Sequence, residues 1–377
     1  MQRHLLAWCV LFIGLSALFL TPLSRAQEVH IESIQTPIRF LSVDTKQEDT
    51  KIEPSAVEPI GDGKLLLVAD DENKSLIVVE ALTGQITQQL KLSSFDKKPK
   101  WEAMARDLEE AYYVIGSHSV KDPMEEDAQQ KLKDRSRLFR FRLKGGGADG
   151  APLTIDDEAP VVEWNIMDAL AIEGYNSDPA KNKVKIEGLA VRTRQDAATS
   201  TTVRELVIGL RQPDEPVRVY TADITHLPGP NAKLTLRPLF RFYAGNRGGV
   251  RSQLSSIEYL PTWNGFLILT STEDNTSNHF HGNTLWFLPD EKISAASPAN
   301  LQLDKLKLSD LQLVEPQKVW VFGVNSKAEG LCVLSEEAGS GKTQTRHARL
   351  VLVYDNDTET TRIAGSFQFL TLILWPK

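Results

Sequence analysis

Three glutamates stand in near-identical surroundings along the chain. Trp101-Glu102-Ala103-Met104-Ala105, Ile186-Glu187-Gly188-Leu189-Ala190 and Ala328-Glu329-Gly330-Leu331-Cys332 each set an acid before a small residue and an apolar run. Serine replaces the acid in Pro54-Ser55-Ala56-Val57 and Leu254-Ser255-Ser256-Ile257. Carboxylates that a repeat gathers around one axis raise each other's pKa unless a cation neutralises them. Two chemistries follow. Glu102, Glu187 and Glu329 hold Ca²⁺ or another divalent cation through their oxygens, or Arg211, Arg106 and backbone N–H groups satisfy them and they staple one repeat to the next. Ser55 and Ser255 interrupt a full ring of acids, which weighs against the metal.

Other reactive types are scattered. His118 lies between Ser117 and Ser119, but neighbours on a strand face opposite ways and no Gly-x-Ser-x-Gly elbow occurs, so a turn histidine or a ligand contact with Arg211 is expected rather than a catalytic base. His279-Phe280-His281 puts two imidazoles on one side of an extended segment, where Asp274 would be a third ligand for a transition metal. Gly339-Ser340-Gly341-Lys342-Thr343 imitates the end of a phosphate loop, but Glu336 stands where the leading glycine belongs. A hairpin loop is expected there.

The elements that must carry these residues repeat with them. Short apolar segments follow each start: Leu65–Ala69, Tyr112–Gly116, Leu206–Leu210 and Phe266–Thr270. Third segments follow at 75–80, 137–143, 217–222, 284–288 and 349–354, and fourth ones at 85–92, 160–165, 236–243, 318–323 and 361–369. Only Met104–Ala111 and Asp304–Leu313 have faint helical character. Four short antiparallel strands repeated at irregular spacing specify an all-β β-propeller. Five blades are expected, the last without a clear second strand, and a sixth remains open if 38–43 closes the ring against 371–375. Loops 119–136, 144–159, 175–183 and 335–348 are polar and are expected to be surface insertions. Up-and-down strand order places the repeated acids on one face with Asp70, Asp71, His118, Arg211, Glu273 and Asp274.

The chain opens with Arg3 and His4, an uncharged apolar run from Leu5 to Leu20, and small residues before Ala26. This is the pattern of a secretory signal, with cleavage expected after Ala26. Residues 27–377 then form one domain without a membrane span. Losing Arg3 and Arg25 takes the net charge from −7 to −9. An acidic chain without a basic run excludes nucleic acid as the main partner. Cys9 leaves with the signal and only Cys332 remains, so no internal disulfide forms and a buried core must provide stability.

The starts at Trp101 and Ile186, the phrase Val114-Ile115-Gly116-Ser117-His118-Ser119, the strand Ser136-Arg137-Leu138-Phe139-Arg140-Phe141 and Ile208-Gly209-Leu210-Arg211-Gln212-Pro213 resemble the secreted bacterial family catalogued as domain of unknown function 3616. The similarity spans roughly residues 52 to 355. More loosely, the acid-glycine starts resemble propellers of the phytase-like esterase and gluconolactonase type, which implies that the acids hold a metal. The expected protein is thus a periplasmic or secreted monomer that binds a small molecule or an envelope protein on its acidic face. The alternative is a metal-assisted hydrolase of an ester, lactone or phosphoester.

Overall fold

The computed structural model describes residues 28–41, 52–70, 75–90, 92, 100–145, 152–158, 161–165, 176–195, 200–212, 216–226, 234–274, 279–296, 307–324, 327–338, 345–355 and 365–375. The signal segment, Asp71 and the 339–343 loop lie outside them. Among the described residues the strands form five antiparallel sheets. The inner strands are Pro54–Ile60, Trp101–Arg106, Lys185–Gln195, Val250–Leu260 and Ala328–Ala338, and each touches the inner strands on either side, the last returning to the first. This cyclic contact is the geometry of a β-propeller.

The repeated start of each inner strand has a structural meaning. The register slips by one residue between Pro54 and Ala56, Trp101 and Ala103, Ile186 and Gly188, Leu254 and Ser256, and Ala328 and Gly330. Ser55, Glu102, Glu187, Ser255 and Glu329 are therefore β-bulge residues, and a bulge re-aims a side chain out of the ladder. The residue after each bulge is small because neighbouring inner strands pass close together. A Cβ on Gly330 would lie 2.8 Å from the Ala56 Cα.

The core is divided into layers between sheets. Five clusters of buried side chains each join two neighbouring sheets, as when Ala103, Tyr113 and Leu138 meet Ile186, Leu189 and Ile208. Strands covered on both faces need apolar residues at successive positions. Leu66–Ala69, Tyr112–Ile115 and Phe266–Leu269 meet that need, and all are buried.

The ring closes differently from expectation. Strand Glu28–Ile34 pairs with Ser366–Trp375, setting Glu28 opposite Trp375, while Ile38 and Arg39 pair with Phe367 and Ser366. Residues 371–375 thus meet 28–33 rather than 38–43. The last sheet is complete: Arg346–Tyr354 is its second strand, Ser366–Trp375 its third, and the N-terminal strand its fourth. Met104–Arg106 is strand, and Asp107–Glu110 is a hairpin turn tied by Asp107 Oδ1 accepting the Glu109 and Ala111 N–H groups at 2.9 Å. Of the second faint helix, the described residues 307–313 hold a 3₁₀ turn at Leu308–Asp310. Among the described residues the α-helices are Ala128–Arg135, inside the insertion expected to be loop, and Asp290–Ala296. No helix among the described residues is long and apolar enough to cross a membrane.

Candidate functional site

The channel has two mouths, and carboxylates line both. At the upstream mouth, where the inner strands begin, the structure brings together Glu102, Glu187, Glu329, Glu273 and Arg211. Lysines absent from the sequence expectation stand between them. Lys100 and Lys185 lie 2.9 and 3.7 Å from Glu102, and Lys185 also pairs with Glu187. Arg211 lies 3.8 Å from Glu187, 3.9 Å from Glu329 and 2.9 Å from Glu273. Lys327 lies 3.2 Å from Glu329, 3.6 Å from Glu273 and 3.0 Å from Asp355. Positive and negative groups alternate across the opening. Arg211 also donates through Nε to Gln253 Oε1 at 3.0 Å and through Nη1 to the Ser271 hydroxyl at 3.3 Å.

Electrostatics follow from this order. Burial opposes ionisation of Glu102, but Lys100 and Lys185 outweigh it and hold the carboxyl below its ordinary range. Burial and then repulsion from Glu102 push Glu187 up to about 7, against Lys185 and Arg211. Burial would discharge Arg211, but Glu187, Glu329 and Glu273 keep its pKa raised. The three glutamates come together at this mouth, with the Lys100, Lys185, Lys327 and Arg211 cations between them. Among the described residues no three His, Cys, Asp or Glu side chains are grouped to hold a metal ion. His279, His281 and Asp274 form no such group either, and the two imidazole rings stand edge to face at 4.7 Å.

The remaining upper-face residues divide. Glu273 belongs to the cluster. Asp274 pairs with His279 in the ladder and is half-buried. Asp70 ends its strand, and its side chain lies outside the description, as does all of Asp71. The His118 ring is fully buried, its Nδ1 bonds to the Gly116 carbonyl at 2.7 Å, and burial lowers its pKa to about 4. It sits at φ 57°, stabilised by the Asn182 side chain donating to its carbonyl at 2.7 Å. A ring so enclosed is not a ligand contact on an open face, and it is neutral at pH 7.

The downstream mouth was missed. A cavity of about 300 Å³ is lined by the far ends of all five inner strands, through Glu58, Arg106, Thr193, Glu258 and Glu336 among others. Arg106 belongs here and not with the upstream acids. Glu58 Oε1, Glu258 Oε2 and Glu336 Oε1 are buried and have no hydrogen-bond partner among the described residues. Glu336 Oε2 accepts the Thr262 N–H at 3.2 Å, and Glu258 Oε1 accepts the Tyr259 N–H at 3.0 Å. Burial, with Glu258 beside it, raises Glu58 well above the carboxylate range despite Arg106. Burial and then Glu336 push Glu258 up to about 8, and burial raises Glu336. The sequence did carry a signal. The two blades whose bulge residue is serine have glutamate three residues on, in Ser55-Ala56-Val57-Glu58 and Ser255-Ser256-Ile257-Glu258, whereas the three acid starts have Ala105, Ala190 and Cys332 there.

The chain is therefore a β-propeller protein with an ion-paired upstream mouth and an acid-lined downstream cavity. No protein-family model matches it, and no curated protein matches its sequence. Its fold is similar to that of a PQQ-bound aldose sugar dehydrogenase from Streptomyces coelicolor, at 13% identity and TM-score 0.42 over 93% of this chain and 99% of that one. It is also similar to an N-acetylgalactosamine deacetylase from F. plautii, at 8% identity and TM-score 0.41 over 90% and 95%. The Cps50 (Swd1) β-propeller domain from Myceliophteria thermophila matches at 10% identity and TM-score 0.33 over 91% and 99%. Likenesses this distant say nothing about ligand or reaction.

Proposed function

We propose that this chain is an exported β-propeller of the bacterial envelope that binds a small polar molecule in the downstream cavity of its channel. One observation carries the reading: three carboxyl groups line a cavity of about 300 Å³, and each has an oxygen without a hydrogen-bond partner among the described residues. A buried polar atom left unpaired costs roughly 1–3 kcal/mol, and a ligand that supplies the missing donors recovers that cost. The upstream acids already have cationic partners, so their role in this reading is to fasten the inner strands together. The resemblance to the uncharacterised secreted family accords with export, and cleavage after Ala26 is part of the proposal.

The test is a thermal-shift screen of small metabolites and CaCl₂ against the wild type, Thr193→Trp, which fills the cavity, and Lys185→Gln, which alters the other mouth. A ligand at a hundred times its Kd stabilises by about 2.7 kcal/mol, enough to detect. Ligands should shift the wild type and Lys185→Gln and fail on Thr193→Trp. If every shift persists in Thr193→Trp, the cavity is not the site. A calcium shift abolished by Glu187→Gln would instead support a metal-assisted hydrolase built on the upstream acids. N-terminal sequencing of the protein from the envelope fraction should begin at Gln27.

A further inference from the structure

Resting on the cavity reading, we infer that the ligand is a small organic cation, with one or more ammonium groups seated among Glu58, Glu258 and Glu336. Glu58 is 4% exposed and lines the cavity, and its Oε1 has no hydrogen-bond partner among the described residues. Glu258 and Glu336 add one unpartnered oxygen each. A carboxyl oxygen without a partner asks for a donor, and an ammonium group brings up to three. Among the described residues that line the cavity, Arg106 is the one basic side chain, and it is engaged by Glu110 at 2.9 Å and lies over the Tyr112 ring at 5.9 Å. The protein therefore leaves the three carboxyls under-neutralised.

Two observations favour an organic cation over a bare metal ion. No group of three metal-ligating side chains occurs among the described residues, and a single ion would leave most of a cavity of about 300 Å³ empty. Apolar surface from Pro59, Leu108, Val191, Val333 and Leu334 lines the same space and suits the carbon part of an amine.

Binding should displace protons, since a cation favours the ionised form of each carboxyl it meets. The charged and titratable groups that bear on this come from every neighbouring strand. Glu58 faces Arg106, Glu258 and the Cys332 thiol, with the Tyr112 hydroxyl nearby. Glu258 faces Glu336, and Glu336 also feels Arg346. Asp107 and Glu110 also line the cavity.

Isothermal titration at pH 7.5 with α,ω-diamines of two to five carbons, the diols of the same lengths and CaCl₂ tests the inference, in two buffers of different ionisation heat. At least one diamine should bind ten times more tightly than its diol, with net proton release and with affinity rising from pH 6 to 8. Glu258→Gln and Glu336→Gln should each weaken it at least tenfold while keeping the wild-type circular dichroism. A diol binding as tightly as its diamine, calcium displacing the diamine at equal concentration, or binding without proton release overturns it. Failure of all diamines, while other ligands still distinguish wild type from Thr193→Trp, overturns the cationic ligand and leaves the cavity standing. If nothing distinguishes those two proteins, the cavity reading itself fails.

Discussion

Glu187 and Glu258 occupy opposite ends of one channel, and burial pushes their carboxyls up to about 7 and about 8. For both, the neutral form is favoured by folding. Each stabilises the fold fully below the unfolded value near 4.5, and that contribution is lost as pH rises through the folded value. One pKa unit corresponds to about 1.4 kcal/mol, so Glu258→Gln should raise stability at pH 8 by an amount on the order of 1–3 kcal/mol and change little at pH 5. Denaturant melts at the two pH values check this, and an equal effect at both would contradict it. Glu102 runs the other way. Its lowered pKa supplies stability present above the unfolded value and lost as pH falls, so Glu102→Gln should be destabilising at pH 7 where Glu187→Gln is nearly neutral. His118, lowered to about 4, stabilises above pH 6.5 and loses that contribution as acid brings the pH down toward 4. His118→Asn, which tolerates the positive φ, should flatten that acid limb.

At the scale of the strand, the bulge and the small residue behind it set how near the inner strands come. Gly188 and Gly330 hold equivalent places with different neighbours. A Cβ on Gly188 would meet side-chain ends, Ile257 Cγ2 at 2.8 Å and Leu254 Cδ2 at 2.9 Å, whereas on Gly330 it would meet the Ala56 Cα at 2.8 Å and the Ser55 carbonyl oxygen at 3.0 Å. Side chains can shift and backbone resists. Gly330→Ala should therefore cost more than Gly188→Ala, with overpacking penalties of roughly 1–3 kcal/mol, and chemical melts of the two variants would show the order. The repeat that fixes these strands was legible because each start couples an acid or serine to a small and then an apolar residue. The ion pairing was less so, although Lys100-Trp101-Glu102, Lys185-Ile186-Glu187 and Lys327-Ala328-Glu329 share one spacing. Attention to the acids alone hides the lysine two residues before each. The downstream carboxyls were missed for a related reason, since Glu58 and Glu258 fall inside blades whose starts carry no acid. Helix Ala128–Arg135 buries only Ala128 and Leu132, too few apolar positions to mark a helical period.

For the molecule as a whole, the decisive contact is between the two ends of the described chain. Pairing of distant segments has no local sequence signal, which is why closure against 371–375 was expected only as a condition for a sixth blade and with 38–43 as the partner in place of 28–33. Val29 packs with Leu370, Leu372 and Leu374, and its backbone is also tied to the neighbouring sheet, with its N–H donating to Gln317 Oε1 at 3.2 Å and its carbonyl accepting from Gln317 Nε2 at 3.0 Å. The strand thus completes one sheet and fastens it to the next. A chain beginning at Gln35 would keep the Ile38 and Arg39 pairing but leave Leu370–Trp375 as an open edge with its apolar face partly uncovered. Its Tm should fall by more than roughly 5 °C, with hydrogen exchange accelerating first at 370–375 and then along 346–354, while the second-sheet amides at 112–115, which share no core cluster with the last sheet, respond last. Adding the peptide 28–35 in excess should restore both protection and Tm, because the lost contacts are those of one strand. A Tm unchanged by the truncation, or exchange that speeds up uniformly over all five sheets, would show that the ring does not depend on this strand for closure.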